Sequence, residues 1–383
     1  MPKDRRPFRA DARLIFGSSE HNADLLYATH FFAPDAFIYF THRGKTFLVM
    51  NDLEIHRARQ QARVDHILSL SEEEKKIREG KQKTVDIAAV LQLLFSSRKI
   101  RSLLVPSSFP LGLGDQLRRR GLRVTASPKA FFPGREIKRK DEIREIIKAQ
   151  RAAEAGVGAA IEMIRQSRIS PHGKLIWNGT RLTADDVKQR IASAAMQHGC
   201  IASHTIVACG QQGCDPHNEG SGALCAHKPI ILDIFPRSQA TGYWGDITRT
   251  VVRGRASERL KSVFRSVLKG QSIALKQIKE GARGHEIHQT ILEYFDRQGF
   301  QTGQQDGRMQ GFFHGTGHGV GLEIHEAPRI SPRGKDPLKS GQVVTVEPGL
   351  YYSDVGGVRL EDVVVVTETG HRNLTRFPKV LEI

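Results

Sequence analysis

Phe312-Phe313-His314-Gly315-Thr316-Gly317-His318-Gly319-Val320-Gly321-Leu322-Glu323-Ile324-His325-Glu326 is the stretch around which this chain is organised. Glycine takes every second position from Gly315 to Gly321. A period of two points to extended backbone with one edge free of side chains, open to a metal, a substrate or another strand. His314, Thr316 and His318 then share the opposite face. His325 is out of that phase, so the chain must turn before it if the imidazoles of His318 and His325 are to meet. The spacing is neither the Gly-x-Gly-x-x-Gly of a dinucleotide loop nor the His-Glu-x-x-His of a zinc protease helix. Three histidines this close together point to metal or catalytic use.

Two pairs of acidic strand residues reinforce that reading. Pro229-Ile230-Ile231-Leu232-Asp233 and Gly245-Asp246-Ile247-Thr248-Arg249-Thr250-Val251-Val252 read as strands around a turn-rich stretch. A hairpin centred between Gln239 and Ala240 sets Asp233 opposite Asp246. Val343-Val344-Thr345-Val346-Glu347 and Val358-Arg359-Leu360-Glu361-Asp362-Val363 flank Tyr352 to Gly357. Centred on Asp354, that hairpin sets Glu347 against Glu361. Cross-strand neighbours have Cβ atoms about 4.5 to 5.5 Å apart, and like charges at that distance repel. Two such pairs beside a histidine cluster imply a bound cation; four carboxylates and an imidazole suit two divalent ions.

The chain has 383 residues, 39% hydrophobic and 26% charged, the composition of a soluble globular protein with two domains. The formal charge of +17 raises the question of nucleic acid. The basic residues are scattered, however, and aromatic content is low at 7%, which fits a solvated basic surface and no specific nucleic-acid partner. No apolar run has the length of a signal peptide or of a membrane span, so a cytoplasmic protein is expected, with Cys200, Cys209, Cys214 and Cys225 reduced.

Along the chain, residues from about 8 to 134 read as a small α/β unit. It holds a hairpin around His42 to Lys45, a charged helical run over 71–83, a helix over 85–95, a strand over 102–106 and a helix over 111–120. His21, His30, His42, His56 and His66 read as surface or packing residues. The pair Pro133-Gly134 breaks the pattern. Helices follow from Asp141 to about Gln166, from an N-cap at Thr183 to near Gly199, from Glu258 through Gly270, and from Gly284 to Gln298.

Taken together, these motifs resemble those of metallopeptidase family M24, which includes methionine aminopeptidase, aminopeptidase P and prolidase. The matching text is Gly242-Tyr243-Trp244-Gly245-Asp246-Ile247-Thr248-Arg249-Thr250, the 314–326 stretch, Val346-Glu347-Pro348-Gly349-Leu350-Tyr351 and Gly357-Val358-Arg359-Leu360-Glu361-Asp362. The likeness runs from about residue 137 to the end. Ala23-Asp24-Leu25-Leu26-Tyr27 and Pro34-Asp35-Ala36-Phe37 are similar to the first domain of the prolidase, aminopeptidase P and creatinase branch. The resemblance implies an α+β protein: a smaller creatinase-type α/β domain over 1–136, then a pita-bread catalytic domain over 137–383. It implies a dinuclear site, with two manganese, cobalt or zinc ions held by Asp233, Asp246, His318, Glu347 and Glu361. In that scheme Asp246 and Glu361 bridge the two ions, Glu347 relays a proton, and His325 stabilises the oxyanion. His217 binds substrate and assists catalysis. His314 and Arg359 line or order the pocket, Arg359 as partner of a carboxylate ligand. Tyr351 and Tyr243 read as structural.

The implied activity is that of an Xaa-Pro aminopeptidase acting on peptides with proline second, as a homodimer, with strict Xaa-Pro dipeptidase action as the alternative. Two other readings compete. Creatinase-like members work without metal but have lost the ligand set, and some relatives are binding modules without a site; all five ligand positions are filled here. One departure stands out. Asp233 and Asp246 are thirteen positions apart where the family has eleven, and Phe235 occupies a place where glycine is common. An insertion of two preserves facing, because pairing depends on parity.

Overall fold

A computed structural model describes residues 10–80, 85–305 and 307–383; the start of the chain, with Lys3, Arg5 and Arg6, and Lys83 at the end of the charged run lie outside them. The chain divides into two compact units, Met1–Pro133 and Gly134–Ile383.

In the first unit a mixed sheet runs in the order His66–Ser69, Lys45–Met50, Phe37–His42, Ala12–Gly17, Ser102–Val105, Arg123–Ala126. Its hairpin closes through Arg43 and Gly44, both at positive φ (48° and 75°), the backbone that matches strand twist in a two-residue turn. His42 accordingly faces Lys45. Helix Ile87–Ser97 is capped by Asp86, whose carboxylate accepts the Ala89 N–H at 2.7 Å. It lays Ala88, Leu91, Leu94 and Phe95 against Leu14, Ile38 and Phe40 of the sheet.

The second unit opens with helix Lys140–Gln166, whose first turn carries Asp141 and Glu142 toward the positive end of its dipole. Its stripe of Ala153, Val157, Ala160 and Ile164 packs on Val187 and Ile191 of helix Ala184–Gln197 and on Leu232 and Ile234. Thr183 caps that second helix with a reciprocal Asp186 carboxylate, which accepts the Thr183 N–H at 2.8 Å. Behind these helices lies an antiparallel sheet of Ile206–Cys209, Ile230–Ile234 and Ile247–Val251. A five-stranded sheet follows in the order Glu326–Ile330, Gly317–Gly319, Val343–Val346, Asp362–Val366, His371–Asn373. Helices Glu258–Gln277 and Gly284–Arg297 bury Val263, Val267, Ile291 and Phe295 in one core with Val344, Val346 and Val364. Among the described residues no helix is long and apolar enough to cross a membrane.

The register of the first acidic hairpin differs from expectation. Asp233 pairs with Thr248 and Ile234 with Ile247, and the ladder continues to an Arg237–Trp244 bridge. Asp246 therefore stands opposite Phe235, two places from Asp233. The displaced turn coincides with pairing of Arg237–Ser238 to Cys200–Ile201. A shift of two leaves both aspartates on the same face.

Candidate metal centre

Each acidic residue is held by a neighbour from another element, Asp246 and Glu347 by their backbone and Asp233 and Glu361 by their side chains. Helix Lys140–Gln166 grips the backbone of Asp246 through Gln150, whose carboxamide donates to the Asp246 carbonyl and accepts its N–H, both at 2.8 Å. Glu361 donates its N–H to the Thr248 carbonyl at 3.0 Å, and the Thr248 hydroxyl donates to its carboxylate at 2.8 Å. Glu347 donates its N–H to the Thr316 carbonyl at 2.7 Å. Arg359 donates to Asp233 at 2.6 Å and, from its other arm, to the Tyr351 hydroxyl at 2.9 Å. Sequence reasoning named none of Gln150, Thr248 and Thr316 as supports; Thr248, two places from Asp246 on one strand face, was the one such signal available.

These supports bring the predicted ligands together. Asp246, His318 and Glu361 each offer a ligand atom within 4.8 Å of the others, all three residues buried. The Nε2 of His318 lies 3.4 Å from Glu347 and 3.8 Å from Asp246. Asp233, Asp246, His318, Glu347 and Glu361 all line one cavity of about 820 Å³.

The charge arrangement calls for a cation. Burial, then the crowding of Glu361, Asp233 and Glu347, raises the Asp246 carboxyl well above its ordinary range. Burial and Glu361 do the same to Glu347, and burial and Asp233 push Glu361 up to about 7. Burial and His325 lower His318 to about 3, so its imidazole is neutral. The contact of Nδ1 with the Gly319 carbonyl at 3.2 Å assigns the proton to Nδ1. The lone pair on Nε2 is thus turned toward the Glu347 and Asp246 carboxyls, and once these ionise acceptor faces acceptor, an arrangement a divalent cation relieves. Hard oxygen donors with one imidazole fit manganese, cobalt or zinc.

The other predicted residues divide. His325 meets His318 edge to face, ring centroids 4.3 Å apart, after the chain turns at residues 321–325. That turn is clamped from two sides. Trp244 donates its backbone N–H to the Gly321 carbonyl and its indole N–H to that of Leu322, at 3.0 and 3.2 Å. Glu326 is held by buried Lys138 at 2.5 Å and by Arg135 at 3.0 Å. His217 is exposed on the loop after Cys214 and lines the cavity.

His314 also lines the cavity, yet its Nε2 accepts from the Tyr351 hydroxyl at 2.8 Å, which ends a chain running Asp233, Arg359, Tyr351, His314. Thr316 departs from the shared face expected of it: buried, it contacts Nδ1 of His288 at 3.0 Å. The extended segment is short, covering only Gly317–Gly319 with a bulge after His318. As for the glycine edge, another strand takes the space. A Cβ on Gly317 would meet the Thr345 carbonyl oxygen at 2.0 Å, and one on Gly319 that of Ala327 at 2.2 Å.

Comparison with known proteins agrees with this geometry. The profile of metallopeptidase family M24 matches residues 144–368. The chain is 38% identical over 184 residues to an uncharacterized peptidase of Bacillus subtilis, covering 46% of this chain and 48% of that one. It is 33% identical over 249 residues to the Xaa-Pro dipeptidase of Pyrococcus furiosus, covering 64% and 65%. The matches thus span about half to two thirds of those relatives' lengths. Among solved structures, the X-Pro aminopeptidase of Thermotoga maritima superposes with a TM-score of 0.80 at 25% identity, over 98% of each chain. A mixed α and β chain with the pita-bread type of fold and this matched region belongs to metallopeptidase family M24.

Proposed function

We propose that this protein hydrolyses the bond between an N-terminal residue and a following proline, using divalent metal held by Asp233, Asp246, His318, Glu347 and Glu361. The observation that carries the reading is the buried meeting of Asp246, His318 and Glu361 within 4.8 Å, with a neutral imidazole aimed at carboxylates. When bound, the divalent ions supply Lewis acidity, lowering the pKa of a water and polarising the scissile carbonyl. Glu347, whose side chain is 18% exposed, takes the water's proton and returns it to the leaving amine. His325 donates to the developing oxyanion. His217, which lines the same cavity, holds substrate, and Arg359 orients Asp233 through its hydrogen bond at 2.6 Å. Proline at the second position removes the amide N–H and fixes φ, so a shaped cavity rather than backbone hydrogen bonding must position the substrate.

Two arginines bear on substrate length. Arg329 and Arg333 line the same cavity, and their guanidinium groups suit the terminal carboxylate of a dipeptide. That shifts the reading from the aminopeptidase expected at first toward Xaa-Pro dipeptidase action, in keeping with the name of the Pyrococcus relative. Aminopeptidase action is the second reading, favoured by the name of the Thermotoga neighbour. The test compares Xaa-Pro, Xaa-Pro-Yaa and Xaa-Ala-Yaa on enzyme stripped by chelator and reloaded with manganese, cobalt or zinc. Cleavage of the dipeptide alone is expected, with two ions per chain by elemental analysis. Equal cleavage of the alanine peptide would remove the proline requirement, and failure to bind any divalent ion would end the metallopeptidase reading.

A further inference from the structure

We propose that Phe235 is the wall that limits the size of the substrate's N-terminal residue, an inference that rests on the dipeptidase reading above. The ladder fixes its place. Ile234 pairs with Ile247 and Arg237 with Trp244, so Phe235 falls directly opposite Asp246. It shares a face with Asp233 two places back, and with Ile206, which pairs with Asp233 from the other side. Cross-strand partners have Cβ atoms about 4.5 to 5.5 Å apart, so the ring stands beside the carboxylate cluster. The residue is half-buried, and both Phe235 and Ile206 line the cavity.

The polarity of the cavity says which part of the substrate meets this wall. His325, Arg329 and Arg333 bring polar and charged groups to the cavity from the 321–333 segment. Ile206 and Phe235 bring apolar side chains to the same cavity from the sheet that carries Asp233. With the proline carboxylate at the arginines and the scissile carbonyl at the carboxylate cluster, the N-terminal side chain points at Ile206 and Phe235. An aromatic ring at a position where a glycine would leave open space narrows that end. The displaced register makes this so, because the expected pairing would have set Asp233, not Phe235, against Asp246.

The test is a ratio: kcat/KM for Phe-Pro over that for Ala-Pro, on metal-loaded wild type, Phe235→Ala and Phe235→Leu. A methylene in a hydrophobic pocket changes such discrimination by about tenfold or more. Phe235→Ala should therefore raise the ratio at least about tenfold, with Phe235→Leu in between. Unchanged ratios in both variants, with Ala-Pro still hydrolysed, overturn the proposal; Phe235→Leu decides alone if Phe235→Ala does not fold. Should wild type hydrolyse no dipeptide, the dipeptidase reading fails. Calorimetric titration with the same two dipeptides then reads the wall without turnover. A relative gain of about tenfold for Phe-Pro in Phe235→Ala supports it, and equal preference refutes it.

Discussion

The hairpin that carries Asp233 and Asp246 keeps one register from Ile230 opposite Val251 out to the Arg237–Trp244 bridge, whereas the one that carries Glu347 and Glu361 opens at the glutamates themselves. In the second hairpin one ladder ends at Val346 opposite Asp362 and another begins at Gly349 opposite Arg359. Between them the glutamate N–H groups leave their own hairpin, Glu347 for Thr316 and Glu361 for Thr248. The first hairpin therefore supplies a face, and the second ties that face to the strand of His318. A face tolerates a shift of register by two, since the side chains return to the same side. A tie does not, because each glutamate has its own backbone partner in a different element.

The largest effect should follow from neutralising a carboxylate that the tie holds in place. Glu361→Gln keeps the shape and a group able to bond Thr248 but removes a charge; it should abolish stoichiometric metal binding and lower kcat/KM by more than about 10³-fold, several kcal/mol of charge stabilisation. Elemental analysis beside kinetics checks it, and retained metal would show that the face alone suffices. The chelated protein offers a second reading of the same group. Burial raises Glu361 from 4.5 to about 7 in the fold, so the folded state binds more protons than the unfolded one between those values. Stability of the chelated wild type should therefore fall as pH rises from about 4.5 to 7, and less so in Glu361→Gln. Thermal melts across that range, with and without manganese, measure the difference; metal should stabilise most at the upper end, where the carboxylates are ionised.

His325→Ala comes next. Its ring touches that of His318 but stands outside the carboxylate cluster, so turnover should fall about 10²–10³-fold with metal content intact. Loss of metal in this variant would make His325 a ligand or a support for one.

Much of this was legible in the sequence, and the limits have physical causes. The glycine pair Gly356-Gly357 and the run of valines centre the second hairpin on Asp354, and both of its observed ladders keep that centre. For the first, the expected centre between Gln239 and Ala240 misses the observed one by one residue, and the adopted register comes with pairing of Arg237–Ser238 to the distant Cys200–Ile201, which nothing local marks. Supports were harder to read than ligands. Gln150 lies on a helix 96 residues before Asp246, and only the packing of that helix on the hairpin brings them together. A Cβ on Gly245 would meet the Ala149 backbone at 2.5 Å, which shows how close that packing is. Lys138 and Arg135 likewise reach Glu326 across nearly two hundred residues, and nothing local marks them as partners of the His325 turn.

A smaller effect is expected where the two hairpins share a support. Arg359 sits in the second and holds Asp233 of the first through one arm of a planar fork, while the other arm meets Tyr351. Arg359→Lys retains the charge but cannot fill both places. Metal affinity should fall about 10–100-fold, the usual cost of losing a group that orients a ligand. Competition with a chelator measures it, and an unchanged affinity would make the first hairpin self-sufficient.

The smallest change tests the link between the tip of the first hairpin and the turn bearing His325. Trp244→Phe keeps an apolar ring and the backbone bond to Gly321, and removes only the indole donor to the Leu322 carbonyl. A neutral hydrogen bond is worth about 1 kcal/mol net, so kcat should fall no more than about fivefold, with KM and metal content unchanged. The informative comparison is the double variant. If Trp244 acts by placing His325, the substitution should cost nothing further in the His325→Ala background, since the group it positions is already gone. An undiminished cost there would mean that the tip of this hairpin acts on another part of the site. A drop in metal content would mean that Trp244 steadies Asp246, two residues along its own strand, and that the first hairpin holds its face from the tip rather than from Gln150.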